Sequence, residues 1–172
     1  MNAQHGMSLL ELMVTISITL LLVTIVTPAW LTTNNNLQLK HAIEASYFLM
    51  QHGRSSAIAS GQDIFVTFKP GPHWCLGLNA GGPCECAIAN SCHFNALDMS
   101  VSQQDFSAVS LINLRFGDDA SAVFDSARGI AMGNAGSVIF SDNDTQAKLI
   151  VSNMGRVRIC VVQGGLGGYP SC

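Results

Sequence analysis

Residues 7–30 read MSLLELMVTISITLLLVTIVTPAW, and this stretch decides how the rest of the chain is organised. It contains one carboxylate, Glu11, and no basic residue. A run of about 20 mainly apolar residues is long enough to cross a bilayer as a helix. A cleaved secretory signal would instead have a shorter apolar region followed by an Ala-x-Ala-like site. No such site follows this run, so the sequence predicts a retained membrane helix.

Glu11 is the unusual residue of this helix. An ionised carboxylate costs roughly 2.5 kcal/mol or more when it lies deep in a bilayer, and it commonly marks a charged partner. A carboxylate close to the end of a membrane helix can also reach the lipid headgroups without a partner. The residue by itself leaves both interpretations open.

Residues 6–12, GMSLLEL, resemble the type III signal of type IV pilins and type II secretion pseudopilins. In that family a membrane-bound prepilin peptidase cuts after the glycine and methylates the new N-terminus, and a glutamate occupies the fifth mature position. The resemblance therefore implies cleavage between Gly6 and Met7. It also makes Glu11 the fifth mature residue.

The resemblance gives this N-terminal helix a role in assembly. It implies that Glu11 pairs with the N-terminal amine of a neighbouring pilin subunit, an interaction that replaces lost hydration in a dry filament core. It also implies a single-pass bacterial inner-membrane protein with a periplasmic C-terminal domain, assembled into an extracellular pilus filament. Pro28 resembles the proline near the end of the pilin membrane helix. The leader differs from the family pattern, because His5 stands where Lys or Arg is usual.

The helix is predicted to continue beyond the apolar run. An amphipathic stripe with spacings of four, four and three consists of Leu39, Ile43, Tyr47 and Met50. This pattern predicts a helix that packs against a sheet and ends near Ser60, with Gly61 as the stop signal. The predicted segments are a leader at 1–6, a transmembrane and filament-core helix at 7–31, an amphipathic continuation at 32–60 and a β-rich periplasmic domain at 61–172.

From Gln62 onward the pattern changes to that of β-strands. Strands are predicted at 64–68, 74–78, 111–116, 137–140, 148–152 and 156–162. Residues 79–110 show no clear period and are predicted to be a disulfide-stapled loop region. The fold class is therefore α+β, with a long N-terminal membrane-spanning helix packed on an antiparallel β-sheet domain. This arrangement is type IV pilin-like.

The chain has six cysteines, which are Cys75, Cys84, Cys86, Cys92, Cys160 and Cys172. An even number in an exported chain predicts disulfides. The rival interpretation is a zinc site formed by three clustered cysteines with His73 or His93, but the Cys-x-Cys spacing lacks the paired knuckles of structural zinc modules. Cys160 and Cys172 bracket a glycine-rich tail and are predicted to pair, whereas the other four cysteines allow three pairings.

Residues 148–161, KLIVSNMGRVRICV, predict a β-hairpin. Its three-residue loop ends in Gly155, which readily adopts the left-handed conformation that such a loop requires. The resulting register places four apolar side chains on the core face, with Val151 opposite Val157 and Leu149 opposite Ile159.

The other face of this hairpin is basic. Arg156 and Arg158 are predicted to lie about 7 Å apart on one strand face, because alternate residues point the same way. That distance is similar to the spacing of adjacent phosphates along a DNA strand, and Lys148 would extend the stripe. The formal net charge is −3. Any nucleic-acid partner must therefore be held by a local patch, because the overall field does not attract phosphate.

Residues 155–158, GRVR, resemble the Gly-Arg-x-Arg motif of the FimT members of the FimT/GspH family of pilins, so within that family the chain is most similar to FimT. Those members are implicated in DNA uptake during natural transformation, or competence. The resemblance implies a DNA site formed by Gly155, Arg156, Arg158 and Lys148, with phosphate contacts and little sequence preference. On physical grounds alone, paired arginines on an exposed strand face more often serve solubility and edge protection than ligand binding. The alternative function is that of a structural, GspH-like pseudopilin that primes filament assembly in type II secretion.

Three further features of the sequence bear on function. Tyr169 can either stack on a DNA base or pack against the domain. The segment 142–144, DND, lacks the following glycine and distal glutamate of an EF-hand loop, so a solvated turn is favoured over a calcium site. The sequence contains no nucleophile-base set, phosphate-binding glycine loop or metalloprotease motif, and it predicts neither enzymatic activity nor a cofactor.

Overall fold

The computed structural model describes residues 8–117, 120–131 and 133–172, except that from 25 to 32 it describes the backbone alone. Gly6, Met7 and the side chain of Pro28, which carry part of the predicted signal, lie outside the described part of the chain. The chain forms two compact units that divide between Asn34 and Asn35.

The one α-helix of the described residues, α1, spans Leu9–Ser60. Its first turn begins with a side-chain cap, because the Glu11 backbone N–H donates to Ser8 Oγ at 3.2 Å. The helix ends at Ser60, as predicted. Gly61 follows with a φ of 66°, and its N–H donates to the Ala57 carbonyl oxygen at 3.0 Å. This is the left-handed cap that glycine forms at helix ends.

The first unit presents an apolar helix surface. Its largest exposed apolar side chains are those of Leu9, Leu10, Leu12, Met13, Val14, Ile16, Ile18, Leu20, Leu21, Leu22 and Val23. A continuous exposed patch of this kind marks a surface that contacts protein or membrane. In the described residues, no helix combines the length and the apolar character that a membrane crossing requires. The predicted segment 7–31 includes Met7 and the side chains of 25–31, which lie outside the described part.

In the second unit the predicted amphipathic stripe forms the helix face that packs on the sheets. Leu39, Ile43 and Met50 are fully buried, and Tyr47 packs at the edge of the same core. Gly53 allows a close approach, because a Cβ at that position would lie 2.9 Å from Leu78 Cδ1. The stripe is therefore core, as the sequence predicted.

The described residues form ten β-strands. They are β1 (Ile64–Lys69), β2 (Cys75–Ala80), β3 (His93–Phe94), β4 (Leu97–Asp98), β5 (Ser100–Ser102), β6 (Ser110–Arg115), β7 (Ser121–Phe124), β8 (Gly136–Ser141), β9 (Gln146–Val151) and β10 (Val157–Gln163). Sheet I has the order β5-β2-β1-β7, and sheet II has the order β10-β9-β8-β6. Strands β3 and β4 form a small hairpin. All the pairings between these ten strands are antiparallel, so the α+β fold class is confirmed.

The six predicted strands are present with small shifts at their ends. The structure also has four strands that the sequence did not predict. Strands β3, β4 and β5 lie in the region predicted as loop, and β7 was not predicted at all. The first three are only two or three residues long, too short to show a period-two pattern. Strand β7 has four residues, and it is set by its pairing with β1.

The core lies between α1 and the inner faces of both sheets. Trp74, Phe124 and Phe140 are its largest fully buried side chains. The rings of Trp74 and Phe140 meet edge to face with centroids 5.3 Å apart. Trp74 Nε1 donates to the Val109 carbonyl oxygen at 2.7 Å, so its polar atom is satisfied inside the core.

All six cysteines form disulfides. The pairs are Cys75–Cys86, Cys84–Cys92 and Cys160–Cys172. The first two staple the loop after β2, and the third is the pair that the sequence predicted. Because Cys84, Cys86 and Cys92 are disulfide sulfurs, they offer no thiolate to a zinc ion, and the zinc interpretation is wrong.

Candidate nucleic-acid interface

The C-terminal hairpin has the predicted register. Val151 lies opposite Val157 and Leu149 opposite Ile159, and all four side chains are buried. At the turn, the Ser152 N–H donates to the Arg156 carbonyl oxygen at 3.0 Å and the Gly155 N–H donates to the Ser152 carbonyl oxygen at 2.8 Å. Gly155 has a φ of 73°, the left-handed conformation that the three-residue loop requires.

The hairpin turn is held in place by contacts that are distant in sequence. A Cβ on Gly155 would collide with the Gly129 carbonyl oxygen. That same carbonyl oxygen accepts a 3.1 Å hydrogen bond from Arg54 Nε of helix α1. The Ala131 N–H donates to the Asn153 carbonyl oxygen at 3.0 Å. The turn is thus fixed to both the helix and the segment before β8.

Asp125 shapes the loop that provides these contacts. Its Oδ1 accepts hydrogen bonds from the Arg128 N–H at 2.8 Å and from the Ile130 N–H at 3.4 Å. The bond from Arg128 is the main reason that the pKa of this carboxyl is lowered. The sequence did not predict that Arg54, Asp125 and Gly129 support the hairpin. Their contacts with it are made between segments distant in sequence, and no local pattern indicates them.

The two arginines of the hairpin point outward, as predicted. Arg156 and Arg158 are exposed, and Lys148 is half-buried on the neighbouring strand. Arg158 lies opposite Ile150, and Cys160 lies opposite Lys148. The structure shows no side-chain hydrogen bond or ion pair from these three cations to any residue it describes. Their charged groups are therefore available to a ligand.

The tail after β10 is fastened to the domain. The Val161 N–H donates to the Pro170 carbonyl oxygen at 2.8 Å, and the Cys172 N–H donates to the Val161 carbonyl oxygen at 2.9 Å. Tyr169 is half-buried, and its hydroxyl donates to Glu44 Oε1 at 2.7 Å. Burial and this hydrogen bond raise the pKa of Tyr169 to about 12. The structure thus supports the packing interpretation of Tyr169 over base stacking.

The acidic turn between β8 and β9 is a structural element. Asp142 Oδ1 accepts hydrogen bonds from the Thr145 N–H at 2.7 Å and the Asp144 N–H at 3.2 Å. The prediction of a turn is confirmed, but Asp142 is buried rather than solvated. No cluster of potential metal ligands is found in the part of the chain that the structure describes.

The predicted assembly and processing residues lie at the start of the chain. Glu11 is exposed in the first turn of α1. The spacing Ser8-x-x-Glu11 is that of a capping box. A negative charge in the first turn of a helix also interacts favourably with the helix dipole. Gly6 and Met7 lie outside the described residues.

An N-terminal pilin signal followed by a long helix and antiparallel sheets defines a type IV pilin-like minor pilin or pseudopilin. Residues 1–27 match the prokaryotic N-terminal methylation motif, and residues 42–155 match the family of the type II transport protein GspH. The second match covers more than half of the chain, and this protein belongs to the GspH family. That match ends at Gly155, so it does not extend to Arg156 or Arg158.

One solved structure similar to this chain is the crystal structure of the Pseudomonas aeruginosa type IV minor pilin FimU. The TM-score is 0.47 at 15% sequence identity, over 70% of this chain and 90% of that one. No curated protein matches the chain in sequence. These comparisons do not separate the FimT members of the family from its GspH members.

Proposed function

We propose that this protein is a minor type IV pilin that binds DNA without sequence specificity through the outward side of its C-terminal hairpin, and that it serves DNA uptake in natural transformation. The observation that carries the proposal is the pair of exposed arginines, Arg156 directly before β10 and Arg158 within it, with no partner among the described residues. The resemblance of GRVR to the FimT motif supports it.

The chemistry of the hairpin suits phosphate. Arg156 and Arg158 lie about 7 Å apart along the hairpin, and each guanidinium offers a planar fork of donors that matches phosphate oxygens. Strands β9 and β10 contain no Asp or Glu. The patch is therefore positive although the whole chain has a formal charge of −3. Contacts of this type position a nucleic acid without reading its bases.

The role of Gly155 in this proposal is to hold the arginines. Its left-handed φ and its close contact with Gly129 fix the turn directly before Arg156. A rigid turn lowers the conformational entropy lost when the arginines bind phosphate. Arg54 supports the same turn through Gly129.

The proposal includes membrane anchoring and assembly into the pilus. The prepilin peptidase would cut between Gly6 and Met7, and the apolar helix would hold the subunit in the inner membrane with its β domain in the periplasm. In the filament, Glu11 would pair with the N-terminal amine of a neighbouring pilin subunit. The exposed apolar side chains of residues 9–23 support this role, because such a surface requires lipid or protein cover.

The test measures DNA binding by the full-length protein in detergent micelles, using fluorescence anisotropy of a labelled duplex over a range of salt concentrations. Arg156→Gln and Arg158→Gln are each expected to lower the slope of log affinity against log salt by about one. Lys148→Gln is expected to have a smaller effect, because its ammonium lacks the bidentate fork. Transformation frequency should fall in the same order.

The control is Lys69→Gln on sheet I, which changes the net charge by the same amount. Lys69 pairs with Glu85 at 2.8 Å, and both side chains are about half exposed, at 49% and 50%. Loss of such a surface pair changes stability by less than about 1 kcal/mol. If the folded double variant Arg156→Gln/Arg158→Gln binds DNA with wild-type affinity and salt slope and transforms normally, the proposal is wrong.

A second candidate is a structural pseudopilin that primes filament assembly in type II secretion. The match of residues 42–155 to the type II transport protein GspH favours it. In this case deletion of the protein would impair secretion, and the arginine substitutions would leave both secretion and DNA binding unchanged.

A further inference from the structure

The topology of sheet II brings a fourth basic residue onto the side of the hairpin arginines. Strand β6 lies at the edge opposite β10 in the order β10-β9-β8-β6. Arg115 on β6 is paired with Ser137, Ser137 with Ile150, and Ile150 with Arg158. Directly paired residues project from the same face of a sheet. Arg115 and Arg158 therefore lie at the two ends of one row of side chains that crosses all four strands.

This outward face of sheet II contains no carboxylate among the described residues. Its members, assigned by register and alternation, are Asn113, Arg115, Ser137, Ile139, Ser141, Gln146, Lys148, Ile150, Arg158 and Cys160, with Arg156 at the turn. The alternate residues, such as Val138, Phe140 and Leu149, are fully buried on the other face. The outward face is therefore positive at both edges.

The centre of the face is less exposed than its edges. Ser137 and Ile150, which separate the two arginines of the row, are half-buried, whereas Arg115 and Arg158 are exposed. Arg115 makes no side-chain hydrogen bond or ion pair with any residue that the structure describes. In this row, two exposed cations thus lie on either side of Ser137 and Ile150, which carry no charge.

The dimensions of the row are suited to a polyanion. Neighbouring strands lie about 4.8 Å apart, so the three intervals from β10 to β6 separate the backbones of Arg158 and Arg115 by about 14 Å. Arg156, directly before β10, and Arg158, within it, are separated by about 7 Å along the chain. The basic residues are therefore spread in two directions. Arg156 and Arg158 follow the hairpin, whereas Arg115 and Arg158 are separated across the sheet.

We propose that Arg115 is a further phosphate contact of the DNA site, and that the nucleic acid lies across the four strands of sheet II instead of along the hairpin only. This inference rests on the proposed DNA-binding function. Arg115 precedes the Gly-Arg-x-Arg motif by forty positions of sequence. The pairing of β6 with β8 brings it to the same face of sheet II as the motif arginines.

The test adds Arg115→Gln to the salt titration of full-length protein in micelles, with the same labelled duplex. Loss of one phosphate contact is expected to lower the salt slope by about 0.9. The ratio of wild-type to variant affinity should then shrink about 3.5-fold as salt rises from roughly 50 to 200 mM. Arg115→Lys keeps the charge and should keep the slope, and Lys69→Gln is again the charge-matched control.

A second measurement does not depend on how well Arg115→Gln folds. A photoreactive benzoylphenylalanine placed at position 115 is expected to cross-link to bound DNA on illumination, whereas the same group at position 69 on sheet I is not. Position 115 tolerates a larger side chain, because Arg115 is exposed.

The outcomes separate this inference from the proposed function. If Arg156→Gln and Arg158→Gln lower the slope while Arg115→Gln behaves like Lys69→Gln and position 115 does not cross-link, DNA follows the hairpin alone and the inference is overturned. If neither hairpin substitution affects binding, the proposed function itself fails. Lower slopes for all three arginine variants, with cross-linking at 115, support a site that spans the sheet.

Discussion

The hydroxyl of Tyr169 donates a 2.7 Å hydrogen bond to Oε1 of Glu44 on helix α1, across 125 positions of sequence. This bond fastens the C-terminal tail to the helix that carries the core stripe. Together with the Cys160–Cys172 disulfide, it gives the glycine-rich tail two side-chain attachments in addition to its backbone hydrogen bonds to Val161. Such a tail has too few apolar residues to order itself, so both attachments matter for its position.

Tyr169 is expected to ionise at an unusually high pH, and its ionisation is expected to lower the free energy of unfolding. Its pKa is raised from the ordinary value of 10.0 to about 12, so the folded state favours the neutral phenol. This contribution to stability is complete below pH 10, and it is lost as the pH rises from about 10 to about 12. Ultraviolet titration of tyrosinate absorbance should show a tyrosine with a pKa near 12 that disappears in Tyr169→Phe.

At neutral pH, Tyr169→Phe should lower the free energy of unfolding by about 1 kcal/mol, the usual net value of one hydrogen bond. The variant should also lose less stability than wild type between pH 10 and pH 12. An unchanged titration curve in Tyr169→Phe would contradict the assignment of the pKa near 12 to this residue.

Gly155→Ala is expected to destabilise the protein more than the matched change Gly81→Ala. Gly155 and Gly81 have similar φ angles, 73° and 76°, so each alanine costs about 1 kcal/mol or more in backbone strain. A Cβ at position 81 meets open space, whereas one at position 155 collides with the Gly129 carbonyl oxygen. The collision should add roughly 1–3 kcal/mol. Urea unfolding of both variants measures the difference, and equal losses would show that the contact is easily relieved.

Removing the tail disulfide with Cys160→Ser/Cys172→Ser is expected to lower the free energy of unfolding by up to about 3 kcal/mol. The two cysteines are separated by 12 positions, so the closed loop is short and the effect is limited. Denaturant unfolding measures the loss, and thiol titration of the denatured, unreduced wild-type protein should detect no reactive thiol. Wild-type stability in the double variant would mean that Tyr169 and the backbone bonds alone hold the tail.

Glu11→Gln separates the charge of this residue from its local role in the helix. Glutamine also fits the fourth position of a capping box, so the first turn begun by Ser8 should be preserved. The variant is expected to insert into the membrane but to enter filaments poorly, because it cannot pair with an amine of a neighbouring subunit. Quantification of the protein in sheared pilus fractions is the measurement. Wild-type incorporation of Glu11→Gln would refute the charge-pairing role.

The parts of the fold that the sequence predicted are those governed by local patterns. The stripe Leu39, Ile43 and Met50 has a helical period, and the hairpin register follows from its three-residue loop and the alternation of Val157 and Ile159. The pairing of Cys160 with Cys172 was predictable because the two residues bracket a flexible tail.

The parts that were not predicted depend on partners distant in sequence. Strand β7 exists because it pairs with β1, which precedes it by more than fifty residues. The pairing of the four central cysteines depends on how the loop after β2 folds back, since Cys92 packs against Gly77 of that strand. Arg115 could not be assigned to the basic face without knowing that β6 and β10 are opposite edges of one sheet.

The fastening of the tail also protects the protein from self-association. Strand β10 is an edge of sheet II, and such an edge can recruit a strand from another molecule. Ser171 forms a parallel bridge with Val161, and so occupies part of the edge from within the chain. Subunits crowded in a membrane before assembly are therefore shielded from aggregation through this part of the strand. Reduction of the Cys160–Cys172 bond is expected to remove one of the attachments that keep the tail on this edge, which would favour strand exchange between molecules.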